Sequence, residues 1–265
     1  MKDIVITVLI FAGLGALFGA LLAIASKIFA VKVDERVPKI IAKLPGANCG
    51  GCGYSGCAAL ADAIVRGDAR PDACNVCDSE TAKEIAAVMG EEIAEKKRMR
   101  AQVMCSGYGG AAHKKYAYSG ADDCISAANL GGGDKMCPNG CIGLGTCVRA
   151  CAFGAIEVKD GAARVDYTKC GGCGSCVSAC PKHIIELIPY DTKYFVGCKS
   201  VENGKNTRLQ CDAGCISCRI CEKTCEVGAI KVNDYVASID YDKCTACGKC
   251  AEKCPRKIIR QTGNF

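Results

Sequence analysis

The chain has 265 residues, 25 of them cysteine, and a formal charge of +6 that counts every cysteine as neutral. An odd number of cysteines, most of them separated by two or three residues, excludes a disulfide scaffold as their main use and favours metal-binding thiolates. The lysines are scattered and are not interleaved with aromatic residues, so no nucleic acid partner is expected.

An apolar segment lies near the start of the chain. Residues 4–26 hold no charged residue over 23 positions, which is long enough for a helix to span a bilayer. We therefore predict a single-pass transmembrane anchor over residues 1–30. Lys27 and Lys32 follow it, so the soluble part is expected on the cytoplasmic side of the inner (cytoplasmic) membrane. A cleaved signal peptide is the alternative, with residues 23–25 as the cleavage region.

Residues 31–101 are predicted to form a small helical domain that binds one [4Fe–4S] cluster. A short amphipathic connector ends at Pro45, and glycines then surround a series of closely spaced cysteines, where they let the backbone wrap a cluster and present amides to it. Thr81 and Glu84 have the spacing of a capping box, so a helix is expected over residues 78–101. The predicted ligands are Cys49, Cys52, Cys57 and Cys74.

An internal repeat organises the rest of the chain, and its period is 74. The repeat predicts two tandem modules, residues 102–190 and residues 191–265. Sliding the sequence against itself aligns nine pairs of cysteines without a gap. The pairs are Cys124 with Cys198, Cys137 with Cys211, Cys141 with Cys215, Cys147 with Cys221, Cys151 with Cys225, Cys170 with Cys244, Cys173 with Cys247, Cys176 with Cys250, and Cys180 with Cys254.

The second module contains two complete runs of the form C-x2-C-x2-C-x3-C. Two-cluster bacterial ferredoxins bind [4Fe–4S] clusters with such runs, and the fourth cysteine of each run serves the other cluster. A zinc ribbon is excluded because it uses paired C-x2-C motifs. The predicted ligand sets are Cys215, Cys218, Cys221 and Cys254 for one cluster, and Cys225, Cys244, Cys247 and Cys250 for the other.

The first module lacks one ligand, because Leu144 occupies the place that Cys218 has in the second. Cys137 is the nearest replacement in the sequence. The predicted sets are therefore Cys137, Cys141, Cys147 and Cys180, and Cys151, Cys170, Cys173 and Cys176. A three-iron cluster beside Leu144 is the alternative.

The remaining cysteines leave the cluster count open at five or six. Buried free thiols are one interpretation of them. A sixth [4Fe–4S] cluster is the other, and its ligands would be Cys105, Cys124, Cys198 and Cys211. Neither interpretation gives Cys77 a role.

The segment at residues 48–57, Asn-Cys-Gly-Gly-Cys-Gly-Tyr-Ser-Gly-Cys, resembles the four-cysteine domain beside the membrane anchor of the B subunit of the Rnf complex. The order of membrane helix, four-cysteine domain and ferredoxin modules matches too, so the resemblance covers essentially the whole chain. It is to the longer, cysteine-richer members of the family.

This resemblance implies an α+β protein that is the redox subunit of a membrane-bound ferredoxin:NAD oxidoreductase, in which electron flow is coupled to sodium or proton pumping. Reduced ferredoxin would donate electrons, and this chain would relay them to the other membrane and soluble subunits. No catalytic residue is expected here, because the chain shows no P-loop or dinucleotide motif. The alternative is a polyferredoxin that serves a hydrogenase or a carbon monoxide-metabolising complex.

Overall fold

The computed structural model describes residues 2–28 and 34–263. Its first element is helix α1, Lys2–Ile28. Among the helices in these two ranges, none is both long enough and apolar enough to cross a membrane. Lys32 and the start of the predicted connector lie outside the described residues. The large apolar side chains described for α1 are all exposed, namely Ile4, Ile6, Leu9, Phe11, Leu14, Leu17, Phe18, Leu21, Leu22 and Ile24.

Three short helices follow α1 and share one apolar core. They are α2 (Arg36–Lys43), α3 (Cys57–Arg66) and α4 (Ser79–Met89). Each helix contributes aliphatic side chains that are at most 1% exposed, which are Ile40, Leu60, Ile64 and Ile85. The connector is therefore helical, as its amphipathic pattern predicts, and it packs over the segment that carries the first cysteines.

The predicted helix over residues 78–101 is wrong in its second half. Helix α4 stops at Met89 because Gly90 adopts a left-handed conformation, with φ of 73°, that closes the helix end. Its N-cap is Asp78, whose carboxylate accepts a hydrogen bond of 2.8 Å from the Thr81 amide. Strand β1, Met99–Val103, begins before the predicted module boundary at residues 101 and 102 and crosses it.

The rest of the described chain is built from short strands and short helices, and the fold class is α+β, as predicted. The described strands form four two-stranded antiparallel sheets, which pair β1 with β4, β2 with β3, β5 with β8, and β6 with β7. The first module adds α5 (Cys124–Asn129), α6 (Thr146–Arg149), β2 (Ile156–Lys159), β3 (Ala162–Val165), α7 (Ser175–Ala179) and β4 (Ile185–Pro189) to β1. The second contains β5 (Tyr194–Val196), α8 (Gly204–Gln210), α9 (Ile220–Thr224), β6 (Ile230–Asn233), β7 (Val236–Ile239), α10 (Lys249–Lys253) and β8 (Ile259–Gln261).

The backbone repeats with the same period that the sequence predicts. Strands β6 and β7 and helix α10 lie 74 positions after β2, β3 and α7. The turns between cysteines repeat as well. Gly143 and Gly145 have positive φ, and so do Ser217 and Arg219, at 55° and 56°. These two non-glycine residues keep a conformation that L-residues rarely adopt, which indicates that the turn geometry is required.

The first strand of each module departs from that period. In the first module Val103 pairs with Ile185, and in the second Val196 pairs with Ile259. The two partners, Ile185 and Ile259, keep the period, whereas Val103 and Val196 are farther apart than it allows. The first module therefore contains additional residues between its first strand and its cysteine turns.

This register changes the matching of two cysteines. Cys105 and Cys198 each follow the first strand of their module by two positions, so they are structural counterparts, and the alignment of Cys124 with Cys198 is wrong. Cys137 and Cys211 keep the period of the repeat. The segment between Cys105 and Cys137 in the first module is therefore longer than the segment between Cys198 and Cys211 in the second. This longer segment carries α5, with Cys124 as its first residue.

Candidate iron–sulfur centres

The cysteines of the predicted ligand sets surround separate cavities or lie in close contact. We call each group of four neighbouring cysteines a quartet. The quartets are numbered one to six, so that each adjoins the next. The first quartet lies in the helical domain, where its cysteines line a cavity of about 340 Å³, the open mouth included. Its members are those predicted, Cys49, Cys52, Cys57 and Cys74.

Local hydrogen bonds position the first quartet. The Cys57 amide, at the start of α3, donates to Asn48 Oδ1 at 2.8 Å. A hydrogen bond from Cys77, which is buried beside the quartet, lowers the pKa of the Cys74 thiol to about 6. Cys77 is thus close to the quartet without lining its cavity. Its hydrogen bond makes the Cys74 thiol easier to ionise.

The second quartet lies in the first module and consists of Cys151, Cys170, Cys173 and Cys176. Burial, together with the neighbouring thiols of the same quartet, raises the pKa of Cys176 to about 12. Two backbone amides point at its sulfurs: Ala101 donates to Cys170 Sγ and Ala155 to Cys151 Sγ, both at 3.4 Å. Amide donors to sulfur are the contacts by which a protein tunes an iron–sulfur cluster.

The third quartet differs from the prediction by one residue. Its cavity is lined by Cys124, Cys141, Cys147 and Cys180, with Cys124 where Cys137 is predicted. Cys124 reaches this position because Asp123 caps α5 and holds it in place. The Asp123 carboxylate accepts hydrogen bonds from the Ser126 amide and the Thr146 hydroxyl, each at 2.8 Å. Cys124 thus supplies the thiol that is missing at Leu144, which packs against the apolar cluster of Cys124, Ala127 and Ile142.

Cys137 instead belongs to a fourth quartet. The lining of this cavity includes Cys105, Cys137, Cys198 and Cys211. The predicted sixth set shares three of these cysteines and has Cys124 in the place of Cys137. Relative to the prediction, then, the structure exchanges Cys124 and Cys137 between two cavities.

The fifth and sixth quartets have the predicted membership. One cavity is lined by Cys215, Cys218, Cys221 and Cys254, and the other by Cys225, Cys244, Cys247 and Cys250. Two of these eight cysteines, Cys218 and Cys247, are exposed. These two quartets are therefore the ones that reach the protein surface through a cysteine.

The donor sets suit iron–sulfur clusters chemically. Burial raises the pKa of Cys141 to about 11 and that of Cys147 and Cys221 to about 12, because a charged thiolate is poorly solvated inside the protein. Iron removes this penalty, since it takes the place of the proton and supplies the opposite charge. Assembly of the centres should accordingly release protons and stabilise the fold.

Neighbouring quartets in the first half of the series touch. The Ser175 hydroxyl, beside the second quartet, donates to the Cys49 carbonyl of the first at 2.9 Å. Cys173 of the second quartet also lines the cavity of the first. The thiol of Cys147, in the third quartet, is close enough to contribute to the raised pKa of Cys176 in the second.

The second half of the series is equally continuous. The Cys141 amide of the third quartet donates to Cys105 Sγ of the fourth at 3.4 Å, and the Cys215 amide of the fifth donates to Cys198 Sγ at 3.3 Å. Helix α9 then joins the fifth and sixth quartets, because Cys221 lies within it and Cys225 follows its last residue. Each of the six groups is therefore a neighbour of the next.

Three family models match parts of the chain. They are "Putative Fe-S cluster" at residues 44–76, "4Fe-4S binding domain" at residues 163–186 and "4Fe-4S dicluster domain" at residues 214–258. The B subunit of the ion-translocating oxidoreductase complex of Methanosarcina acetivorans is 42% identical over 96% of this chain and 96% of its own length. The chain belongs to the family of B subunits of ion-translocating oxidoreductase complexes.

Other members of the family support this assignment. The B subunit of the Na(+)-translocating ferredoxin:NAD(+) oxidoreductase complex of Acetobacterium woodii is 45% identical over 98% of this chain and 78% of its own length. Its counterpart in the proton-translocating ferredoxin:NAD(+) oxidoreductase complex of Clostridium ljungdahlii is 36% identical over 98% of this chain and 93% of its own. The predicted family is confirmed, and a polyferredoxin of a hydrogenase is not favoured. The chain is an iron–sulfur electron-transfer subunit.

Proposed function

We propose that this chain passes single electrons along the quartets, each of which binds one [4Fe–4S] cluster. The observation that carries the proposal is the unbroken series of neighbouring cysteine groups. A [4Fe–4S] cluster, when bound, takes up and gives back one electron. Five of the ligand sets are Cys49, Cys52, Cys57 and Cys74; Cys151, Cys170, Cys173 and Cys176; Cys124, Cys141, Cys147 and Cys180; Cys215, Cys218, Cys221 and Cys254; and Cys225, Cys244, Cys247 and Cys250.

The chain's own groups have two tasks in this function. The cysteine turns hold the thiolates in fixed positions, so that little rearrangement accompanies a change of charge. The amides of Ala101, Ala155 and Ala163, each 3.4 Å from a cysteine sulfur, offset part of the negative charge. The structure thereby favours transfer between neighbours, and no substrate-converting step is assigned to this chain.

The partners follow from the family. We propose that reduced ferredoxin donates electrons to this chain, which relays them to other membrane and soluble subunits of an ion-pumping ferredoxin:NAD oxidoreductase. The names of the relatives from Acetobacterium and Clostridium support this proposal. They differ in the ion that is translocated, so the proposal leaves the choice between sodium and protons open.

The apolar first helix is proposed as a single-pass anchor in the cytoplasmic membrane. Support comes from the 23 uncharged residues at 4–26 and from the exposed apolar side chains of α1. The rest of the chain would then lie in the cytoplasm, where thiolates stay reduced. The domain limits proposed are residues 1–30 for the anchor, 31–101 for the four-cysteine domain, and 102–190 and 191–265 for the modules.

Metal analysis tests the cluster assignment. The full chain, purified without oxygen, should contain iron and acid-labile sulfide in equal amounts, with about 20 irons from these five sets. Reduction by ferredoxin should bleach its visible absorbance and produce EPR signals of reduced [4Fe–4S] clusters. A folded protein with zinc and no sulfide would refute the assignment.

Fractionation tests the anchor. The full chain should stay in the membrane pellet after an alkaline carbonate wash, and a variant without residues 2–33 should appear in the soluble fraction with its iron retained. Release of the full chain by carbonate alone would show that it is not inserted.

A further inference from the structure

We propose that Lys182 and Arg256 are positioning residues that raise the reduction potentials of the clusters at the junction between the two modules. This inference rests on the proposed function, in which each quartet binds one cluster. Each of these two residues, which we call the junction cations, lies between the fourth quartet and one of its neighbours. They stabilise an electron at the point where it passes from one module to the other.

The junction cations are equivalent by the repeat. Lys182 and Arg256 are one period apart, and each is the second residue after the last cysteine of its module, Cys180 or Cys254. In both modules a proline stands between that cysteine and the cation. Both modules therefore place a positive charge at the same position beside a predicted cluster ligand.

One side of each junction cation faces a neighbouring quartet. Lys182 lines the cavity of the third quartet, and Arg256 lines the cavity of the fifth. The Nε atom of Arg256 is buried and has no hydrogen-bond partner among the described residues. Buried donors are normally satisfied, and the sulfur atoms of a cluster accept hydrogen bonds. This donor is therefore available to a cluster in the fifth cavity.

The other side of each junction cation reaches the fourth quartet. Lys182 Nζ donates to the carbonyl of Pro138, the residue after Cys137, at 2.8 Å. Arg256 Nη2 donates to the carbonyl of Cys211 at 2.6 Å. Cys137 and Cys211 both line the fourth cavity. Burial raises the pKa of the Cys211 thiol to about 11, and the charge of Arg256 opposes this rise.

The charge of Lys182 interacts with two quartets at once. Burial and the neighbouring Lys115 lower the pKa of Lys182, whereas the thiols of Cys137 and Cys180 oppose this effect. Cys137 belongs to the fourth quartet and Cys180 to the third. Lys182 is thus within electrostatic range of both quartets, as its hydrogen bond and its place in the third cavity also indicate.

The effect of the junction cations follows from the charge that an electron adds. A cluster gains one negative charge on reduction, so a nearby cation stabilises the reduced form more than the oxidised form and raises the reduction potential. The hydrogen bonds to backbone carbonyls hold each cation between two quartets. One electron leaves one cluster and enters the next while both cations keep their protons, so the transfer needs no co-reactant.

The test uses Lys182→Gln and Arg256→Gln in the full chain, purified without oxygen and titrated with reductant while its EPR signals are recorded. Glutamine is neutral but can still donate to a carbonyl. Each variant should lower the reduction potentials of two clusters by about a tenfold change in the one-electron equilibrium, which is about 59 mV. One shifted EPR component should be common to both variants, because the fourth quartet lies beside both cations.

The repeat itself supplies the conservative replacements. Lys182→Arg and Arg256→Lys exchange each cation for its counterpart in the other module, and both should keep the wild-type potentials. Lys257→Gln is the matched control, since it removes an exposed cation next to Arg256 whose Nζ donates to the carbonyl of Glu252 in α10, at 3.1 Å. This control should change no potential, and all five variants should keep their iron and sulfide.

Other outcomes separate this inference from the proposed function. Wild-type potentials in folded glutamine variants with full iron content would overturn the inference and leave the proposed function intact. An equal fall in the variants that keep the charge would also overturn it, because packing would then be the cause. If a glutamine variant does not fold, Lys182→Met or Arg256→Met replaces it with the same expectation. A wild-type chain without sulfide would refute the proposed function itself.

Discussion

The exchange of Cys124 for Cys137 gives a sharp experiment at the third quartet. Replacing Cys124 by serine leaves three thiols around that cavity, so its cluster should be lost or reduced to three irons. The expected iron content then falls by about four per chain, or by about one. Sulfide analysis separates these outcomes, and so does EPR of the oxidised protein, in which a three-iron cluster is paramagnetic and an intact [4Fe–4S] cluster is not.

A second substitution should reverse the loss. Leu144 occupies the position that Cys218 has in the fifth quartet, and it packs against the apolar cluster that contains Cys124. The double variant Cys124→Ser with Leu144→Cys should therefore recover the regular ferredoxin run and its full iron content. The same Leu144→Cys change should not rescue Cys137→Ser, because Cys137 lines a different cavity.

The opposite pattern would refute this reasoning. If Cys124→Ser kept all of its iron, and Leu144→Cys rescued Cys137→Ser instead, the assignment made from sequence spacing would be right. Circular dichroism should accompany each measurement, since Cys124 begins α5 and its loss must be distinguished from unfolding of that helix.

Three further substitutions test particular contacts. Gly51→Ala should separate the first two quartets and slow electron transfer between them, because an added Cβ would overlap the carbonyl oxygen of Cys173; crowding of this kind costs about 1–3 kcal/mol. Lys135→Met should lower the reduction potential of the cluster beside Cys141, because a buried cation is lost. A tenfold change in the one-electron redox equilibrium corresponds to about 59 mV. Arg100→Met should lower the free energy of unfolding by at least about 3 kcal/mol, because this 1% exposed guanidinium holds carbonyl and side-chain oxygens from three segments.

Each of these variants has a control in the chain. Ser55→Ala changes an exposed residue in the loop of Gly51 and should leave transfer rates unchanged. Lys114→Met removes an exposed lysine near Lys135 and should leave the reduction potential of the cluster unchanged. Arg98→Met removes an exposed cation at the residue before β1 and should change the free energy of unfolding only slightly. Equal effects in a variant and its control would contradict the structural explanation.

Spacing alone predicted the regular cysteine groups that the structure brings together. The fifth and sixth quartets follow from runs in which three cysteines and the turns between them are local, and a local turn needs no knowledge of the rest of the fold. The first quartet was predictable for the same reason. Its glycines and its close cysteines lie within one short segment, with Cys74 returning after α3.

Local patterns failed where a residue's place depends on distant parts of the chain. The capping pattern at Thr81 predicted a longer helix, but the pairing of β1 with β4 turns its predicted end into a strand. The sequence shows a glycine at position 90, and this signal could have ended the helix prediction correctly.

The sequence by itself determined the chemistry of this protein, because thiol spacing specifies clusters and the family resemblance specifies an electron-transfer subunit. Only the tertiary structure decided which cysteines complete the third and fourth quartets. An ungapped repeat matched Cys124 with Cys198, whereas strand register matches Cys105 with Cys198 and leaves Cys124 to complete the third quartet. The physical reason is that a ligand set spanning two modules is fixed by how their strands pair, and pairing between distant segments leaves no mark on local spacing.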